Sequence, residues 1–311
     1  MDYSRQIMLP QIGLKGQRVL EKATAAVIGA GAIGGLAAEL LCRSGVGKLR
    51  VIERDIVEES NLHRQTLYYA RDIGQSKAHV AKARLSEANP DVQVEAAAID
   101  LNNTNAHLIK ADIVLDCTDN METRYLINDY CRKERIRWVY SAAIKETGTV
   151  FPISPGGPCL ACAIPGAEGL ETCDTSGVLP AITAATACIQ AAEAIKLLLG
   201  ITSNEMVRYD IWNNDFARLK VRSNPNCPAC NGSYDYLSGA KGSRTTKLCG
   251  SGTYQLSGGK ISMRQLKQVP GARILEYGVI LPNATVFSDG RAVIKAGSER
   301  QARAIYARIT G

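Results

Sequence analysis

Hydrophobic and polar positions follow two rhythms along the first half of the chain. "ATAAVIG" (23–29) and "GKLRVIERD" (47–55) are short apolar runs, and the positions between them, from about Ile33 to Arg43, repeat at helical spacing. That is strand, glycine turn, helix, strand: one βαβ unit of about 30 residues. The rhythm continues. "SKAHVAKARLSEAN" (76–89) predicts a helix, "VQVEAAAI" (92–99) a strand, and 103–110 a further helix. "ADIVLDCTDN" (111–120) reads as a buried strand ending in polar residues, "METRYLINDYCRKER" (121–135) as a helix, and "RWVYSAA" (137–143) as a strand. Alternation of this kind predicts an α/β fold, a Rossmann-like, mostly parallel sheet with helices on both faces.

After residue 145 the pattern changes. "GTVFPISPG" (148–156) predicts an antiparallel extension, a long helix runs from Pro180 to Gly200, and "VRYDIWNNDFARLKVR" (207–222) alternates like paired strands. The polar, Gly/Ser-containing "SYDYLSGAKGSRTT" (233–246) is the linker candidate. It divides the chain into a domain at 1–232 and a small C-terminal α+β module at 233–311. The module reads as βαββα: "TYQL", a helix "MRQLKQV" capped by Ser262, "RILEYGVIL", a hairpin in "TVFSDGRAVIKA" turning near Asp289-Gly290, and a last helix whose capping box is Ser298 with Gln301.

Charge sharpens the division. The chain carries +7 overall, yet residues 1–232 hold 25 Lys+Arg against 26 Asp+Glu, while 233–311 hold 12 against 4. A basic module of that kind suits an acidic partner or an ordinary solvated face. No signal pattern opens the chain, and its longest weakly polar runs (24–42 and 178–199) are interrupted by Glu39 and by Gln190, Glu193 and Lys196. These features, with ten cysteines unsuited to a disulfide framework, lead to the expectation of a cytoplasmic protein with no membrane span.

The candidate chemistry begins at Gly29-Ala-Gly31-Ala-Ile-Gly34, a G-x-G-x-x-G run between strand and helix. Glycines there allow backbone N–H groups and a helix N-terminus to face phosphate oxygens. Glu53, 19 residues past Gly34, stands where a carboxylate accepts ribose hydroxyls. The motif says nucleotide without saying which. The residues that follow separate the choices: Asp55, Asn61, Arg64 and Gln65 crowd the segment after the second strand, Lys77 opens the next helix, and Asp119 and Asn120 end "DCTDN". Arg64 and Lys77 suit a triphosphate and Asp119 suits Mg²⁺, whereas a dehydrogenase wants a dry nicotinamide pocket. Two further classes stay open on the residues alone: a nicotinamide or flavin oxidoreductase, and a non-catalytic zinc scaffold.

Cys159-x-x-Cys162 and Cys227-x-x-Cys230 have the spacing of a closed, structural Cys₄ zinc site. A redox C-x-x-C is the competing reading, disfavoured because both pairs sit in Pro/Gly-rich turns rather than at a helix start. Cys173 lies apart, in the loop "GLETCDTSGVLP" (169–180).

"YSRQIMLP", "GAGAIGG", "SNLHRQTLY", "DIGQSKAHVAKARL", "NPDVQV", "DCTDNMETRYLIND", "GVLP" and the two C-x-x-C pairs, in this order over residues 1 to about 231, resemble the ThiF/MoeB/HesA family, prokaryotic relatives of ubiquitin-activating enzymes. The resemblance implies adenylation, with ATP and Mg²⁺, of the C-terminal glycine of a ubiquitin-like sulfur-carrier protein ending in Gly-Gly, for thiamine, molybdopterin or tRNA thiolation. It implies Gly31 and its neighbours along the phosphates and adenosine, and Asn61, Arg64 and Lys77 on the phosphates. Asp119 would bind Mg²⁺, and the four cysteines Zn²⁺. Glu53 departs from the aspartate usual at the ribose. Arg5 matches an arginine that reaches the neighbouring subunit's ATP site, so a homodimer is expected. Cys173 matches a cysteine that in some members forms a sulfur-linked adduct, with a cysteine desulfurase as possible sulfur donor. Neither membrane nor nucleic acid is expected as a partner.

Overall fold

The computed structural model describes residues 1–166, 176–241, 253–256, 271–275, 277–288 and 290–310, together with Leu266 and Val269. They fall into two compact units. The first comprises Met1–Arg54, Asn61–Tyr69 and Lys77–Gly242, and the second Asp55–Ser60, Ala70–Ser76 and Ser243–Gly311.

The first unit opens with α1 (Ser4–Ile7) and α2 (Gly13–Lys22) and continues β1 (Thr24–Ile28), α3 (Gly34–Arg43), β2 (Lys48–Ile52), α4 (Lys77–Ala88), β3 (Gln93–Ala97), β4 (Ile113–Asp116), α5 (Met121–Lys133) and β5 (Arg137–Ile144). Then come β6 (Thr147–Ile153), α6 (Leu160–Ala163), α7 (Pro180–Leu198), β7 (Glu205–Asp210), β8 (Asp215–Lys220) and α8 (Asp235–Ser238). One eight-stranded sheet runs in the order β3-β2-β1-β4-β5-β6-β7-β8. Pairing is parallel from β3 through β5 and antiparallel from β5 to β8. The predicted Rossmann-like sheet with an antiparallel extension is therefore what forms. Strand order reverses between β1 and β4, and the loops at the carboxyl ends of those two strands meet where ligands of open sheets bind.

Central strands are apolar on both faces, as parallel strands covered by helices must be. Ala25, Ala26, Val27, Leu49, Val51, Ile113, Val114 and Leu115 are all fully buried. Burying each larger aliphatic side chain contributes about 2 kcal/mol. Pro180 opens α7 at a position where its missing N–H costs nothing. This helix has the length and hydropathy of a membrane span. Instead it packs on β5, β6 and α3 as a core helix.

Three expectations need correcting. The helix near 103–110 is only a 3-10 turn, Ala106–Ile109. Asn102 and Asn105 side chains take over backbone groups there, which competes with helix formation. The linker candidate is docked in its first half. Backbone N–H groups of Tyr236 and Leu237 in α8 donate to the Asp129 carboxylate, and the Tyr236 ring stacks on Tyr125 at 5.1 Å. Finally, the C-terminal module has more strands than βαββα.

The second unit contains β9 (Thr253–Leu256), β10 (Arg273–Leu275), β11 (Gly278–Leu281), β12 (Ala284–Phe287), β13 (Ala292–Lys295) and α9 (Glu299–Thr310). "RILEYGVIL" is thus two strands, and an antiparallel sheet of order β10-β11-β12-β13-β9 results. Gly278 lets β11 lie close on β12, because a Cβ there would lie 2.2 Å from the Val286 carbonyl oxygen. The expected cap of α9 forms: Ser298 Oγ accepts the Gln301 N–H at 3.2 Å, and Gln301 Oε1 reaches back to the Gly297 N–H at 2.9 Å. Of the helix expected over "MRQLKQV" only Leu266 and Val269 are among the described residues, and the turn residue Asp289 lies outside them.

Candidate functional site

The glycine run does three different things. Gly29 has φ +87°, and a Cβ on it would lie 2.7 Å from the Cys117 carbonyl oxygen, so the loop after β1 presses directly on the loop after β4. A Cβ on Gly34 would come within 1.9 Å of the Gly29 carbonyl oxygen. Both glycines are required by the protein's own packing. Gly31 is not: a Cβ there would meet only Gln65 Nε2, at 3.6 Å.

Around this loop the fold gathers residues from four places. Glu53, buried just past β2, accepts the Ala30 N–H on Oε2 at 2.7 Å. The carboxylate read from the sequence as a ribose acceptor therefore also holds the loop's shape. The Tyr68 hydroxyl donates to the Ala30 carbonyl at 2.7 Å and stands 3.4 Å from the carbonyl of Lys77. That hydroxyl brings the glycine loop and the start of α4 together. Gln65 is buried, and its Oε1 has no hydrogen-bond partner among the described residues. An orphaned buried acceptor beside an unobstructed glycine fits a ligand that donates hydrogen bonds.

Electrostatics agree. Helices α3 and α4 both carry no acidic residue in the first turn, and the N-cap of α3 has no side-chain cap. Each N-terminus bears partial positive charge. Lys77, 5 % exposed, is the first residue of α4, the end of a helix where a cation is least welcome. Asn61 is buried, and its carbonyl accepts the N–H groups of Arg64 and Gln65, folding this segment into a tight turn. Arg64 is half-exposed, with Nη1 3.4 Å from the His63 ring.

At the end of β4, Asp119 is exposed. Asn120 has a structural task that the sequence reading missed: its Oδ1 caps α5 by accepting the Thr123 N–H at 2.8 Å. Asp55 belongs with the second unit. Beneath the loop lies a polar network that sequence reasoning also missed. Asp116 is fully buried, and burial raises its carboxyl above the usual range against the opposing pull of Arg124, whose Nε is 3.9 Å away. Its Oδ1 takes the N–H and hydroxyl of Thr118, while its backbone carbonyl accepts from Ser141 and Gln190. The half-buried Cys117 donates its S–H to Gln190 Oε1. Gln190, one of the few polar residues of α7, was the sequence's only hint of this network.

Arg5 is exposed on α1, and α1 is fixed at the far ends of the helices that form the site. Gln6 binds the Ser44 carbonyl just beyond α3, and Tyr3 accepts from Asn89 just beyond α4. The ten residues of α3 span about 15 Å, more than an arginine side chain reaches. Arg5 therefore cannot serve the glycine loop of its own chain. Cys173 lies outside the described residues.

Cys159, Cys162, Cys227 and Cys230 converge, with all four Sγ atoms within 4.8 Å of one another. Individual separations are 3.5 Å (159–227), 3.5 Å (159–230), 3.6 Å (162–230) and 3.9 Å (159–162). Four sulfurs at 2.3 Å from one tetrahedral metal stand about 3.8 Å apart. The cluster therefore matches a four-thiolate metal site with no open position.

Fold and site together define a doubly wound α/β protein of the nucleotide-binding kind, with a separate four-cysteine cluster of metal-site geometry. The chain belongs to the ThiF family, whose model matches residues 3–229. It is 34% identical, over 99% of both chains, to the sulfur carrier protein ThiS adenylyltransferase of Bacillus subtilis. It is 40% identical to the SAMP-activating enzyme E1 of Haloferax volcanii, over 73% of this chain and 87% of that one. Among solved structures, Escherichia coli MccB with MccA-N7isoASN superposes with a TM-score of 0.66 at 23% identity, covering 73% of this chain and 74% of that one, a likeness of fold.

Proposed function

We propose that this protein is an ATP-dependent adenylyltransferase that activates the C-terminal glycine of a ubiquitin-like sulfur-carrier protein. The observation that carries this reading is the paired, acid-free N-termini of α3 and α4, with buried Lys77 at one and ligand-accessible Gly31 before the other. Family membership supports it and favours adenylation over hydride transfer or a scaffold role.

Two anions must meet in the reaction. Backbone N–H groups near Gly31, with Asn61, Arg64 and Lys77, neutralise and align the triphosphate. A carboxylate oxygen of the carrier's last glycine then attacks the α-phosphorus, the bond to the β-phosphate oxygen breaks, and pyrophosphate leaves an acyl-adenylate. Each well-placed cation or donor lowers the barrier by about 3 kcal/mol in a site shielded from water. Gln65 and Glu53 are placed to read the adenosine side. Asp119 would hold Mg²⁺, which supplies further charge neutralisation at the phosphates. Zn²⁺ is the metal that the four cysteines suit, and its role is to pin the 159–162 and 227–230 turns together. Arg5 completes the site of a second copy, making a homodimer. The adenylate is the substrate for a sulfur donor, with Cys173 the candidate for any covalent step. A reducing, cytoplasmic setting suits the thiolate cluster.

The test is exchange of labelled pyrophosphate into ATP in the presence of a Gly-Gly-ending carrier. Arg64→Ala and Asp119→Asn should each lower the exchange rate by roughly 10²-fold or more while leaving the fold intact by circular dichroism. Wild-type exchange rates in both variants would overturn the reading.

A further inference from the structure

The second unit is not confined to the C-terminal residues. It takes in Asp55–Ser60 and Ala70–Ser76, the two stretches that begin and end the loop carrying Asn61, Arg64 and Gln65. Ser76 is also joined by a single peptide bond to Lys77. These two stretches close on each other. Val57 N–H donates to the Gln75 carbonyl and Gly74 N–H to the Val57 carbonyl, both at 2.8 Å, and Ile56 bridges to Ser76.

The C-terminal sheet is hydrogen-bonded to both sides of this closure. The Tyr277 hydroxyl accepts the Ser76 N–H at 2.9 Å, and Ser76 is fully buried. Thr285 Oγ1, 1 % exposed on β12, donates to the Gly74 carbonyl at 3.0 Å. Thr253 on β9 donates its hydroxyl to the Glu58 carboxylate. The Tyr277 ring is held in turn by stacking on buried Phe287 at 6.1 Å. Gly74 lies against Ile280, and its φ of +84° is a conformation that favours glycine. Every one of these bonds grips backbone or base of the loop. None needs the phosphate-facing side chains themselves.

We infer that Tyr277 and Thr285 are positioning residues for nucleotide binding: the C-terminal sheet sets the base of the Asn61–Gln65 loop and the entry to α4, and through them the ATP affinity of the enzyme. This rests on the adenylation reading above. The effect runs through bound backbone, so it falls on affinity rather than on the chemical step. Losing one such neutral hydrogen bond corresponds to roughly a fivefold change in an equilibrium.

The experiment compares Tyr277→Phe and Thr285→Val with Tyr306→Phe in the full-length enzyme. Tyr306 donates its hydroxyl to the Gly290 carbonyl, a bond of the same kind inside the same module that touches neither loop stretch. ATP binding is measured by calorimetry without any carrier, and amide exchange over 56–77 by mass spectrometry without nucleotide. The expected result is ATP dissociation constants raised roughly fivefold in Tyr277→Phe and Thr285→Val, faster exchange over 56–77 in both, and neither change in Tyr306→Phe. In steady state KM for ATP should rise while kcat holds. If wild type binds ATP and the two variants behave like Tyr306→Phe, this inference is overturned alone. If wild type binds no ATP, the adenylation reading falls and takes the inference with it.

Discussion

Gly31 and Gly34 are three positions apart in one motif, yet a methyl group would make only an ordinary contact with Gln65 beside the first and meet a carbonyl oxygen at 1.9 Å beside the second. Gly34→Ala should therefore destabilise the fold by about 3 kcal/mol, since Gly29, pressed on Cys117, cannot move aside. Gly31→Ala should leave stability within ~0.5 kcal/mol and weaken ATP binding roughly tenfold or more, the equivalent of ~1.4 kcal/mol. Thermal melts paired with nucleotide titration check both halves. Equal effects on folding would show that Gly31 is a packing glycine too. The sequence shows three equivalent glycines, because a motif records residue type and not what stands opposite. Glu53 and Asn120 teach the same lesson: their chemistry was legible, but not that one orders Ala30 and the other caps α5.

At the level of elements, strand and helix order was legible because each βαβ crossover is local and its apolar rhythm is strong. The 3-10 turn at 106–109 and the docking of α8 were not, because side-chain competition and a partner more than 100 residues away decide them. That docking carries a pH signature. Burial pushes the Asp129 carboxyl up to about 6 from its ordinary 3.8, against the N–H groups of Tyr236 and Leu237 that favour its charged form. A raised folded value means that the stability this group contributes is full below about 3.8 and is lost as pH rises through about 6. Asp129→Asn should consequently gain stability relative to wild type between pH 5 and pH 7.5, read as the difference of melting temperatures across that range. A difference that stays flat contradicts the assignment. The cysteine cluster makes a second prediction at this scale. Cys227, 1 % exposed, sits where two turns meet, so Cys227→Ser or exhaustive chelation should lower the melting temperature by roughly 10 °C. Metal analysis should find one zinc per wild-type chain. An unchanged melting curve after verified metal loss would show that the cluster does not hold the fold together.

For the whole molecule, the position of α1 matters most. Arg5 lies about one α3 length from its own glycine loop, so any role for it at ATP requires a second copy. Arg5→Ala and Asp119→Asn should each be inactive alone. After mixing and subunit exchange they should recover about a quarter of wild-type activity, because half the dimers are mixed and each mixed dimer has one intact site. No recovery in verified mixed dimers would show that Arg5 does not act at the partner's site. The extent of the second unit was the least legible feature in the sequence. Its C-terminal strands are short and separated by polar, glycine-rich stretches, and its grip on residues 55–60 and 70–76 spans some 200 positions, so no local pattern announces it.

The central claim is that the site joins AMP to the terminal carboxylate of another protein. Intact-mass spectrometry of a Gly-Gly-ending carrier, incubated with the enzyme, ATP and Mg²⁺ and quenched in acid, reads that bond directly. The account predicts a carrier heavier by one adenylyl group at its last glycine, with pyrophosphate released and with no adduct when Arg64→Ala replaces wild type. A carrier of unchanged mass across the cognate-type partners, with ATP left whole, would contradict it.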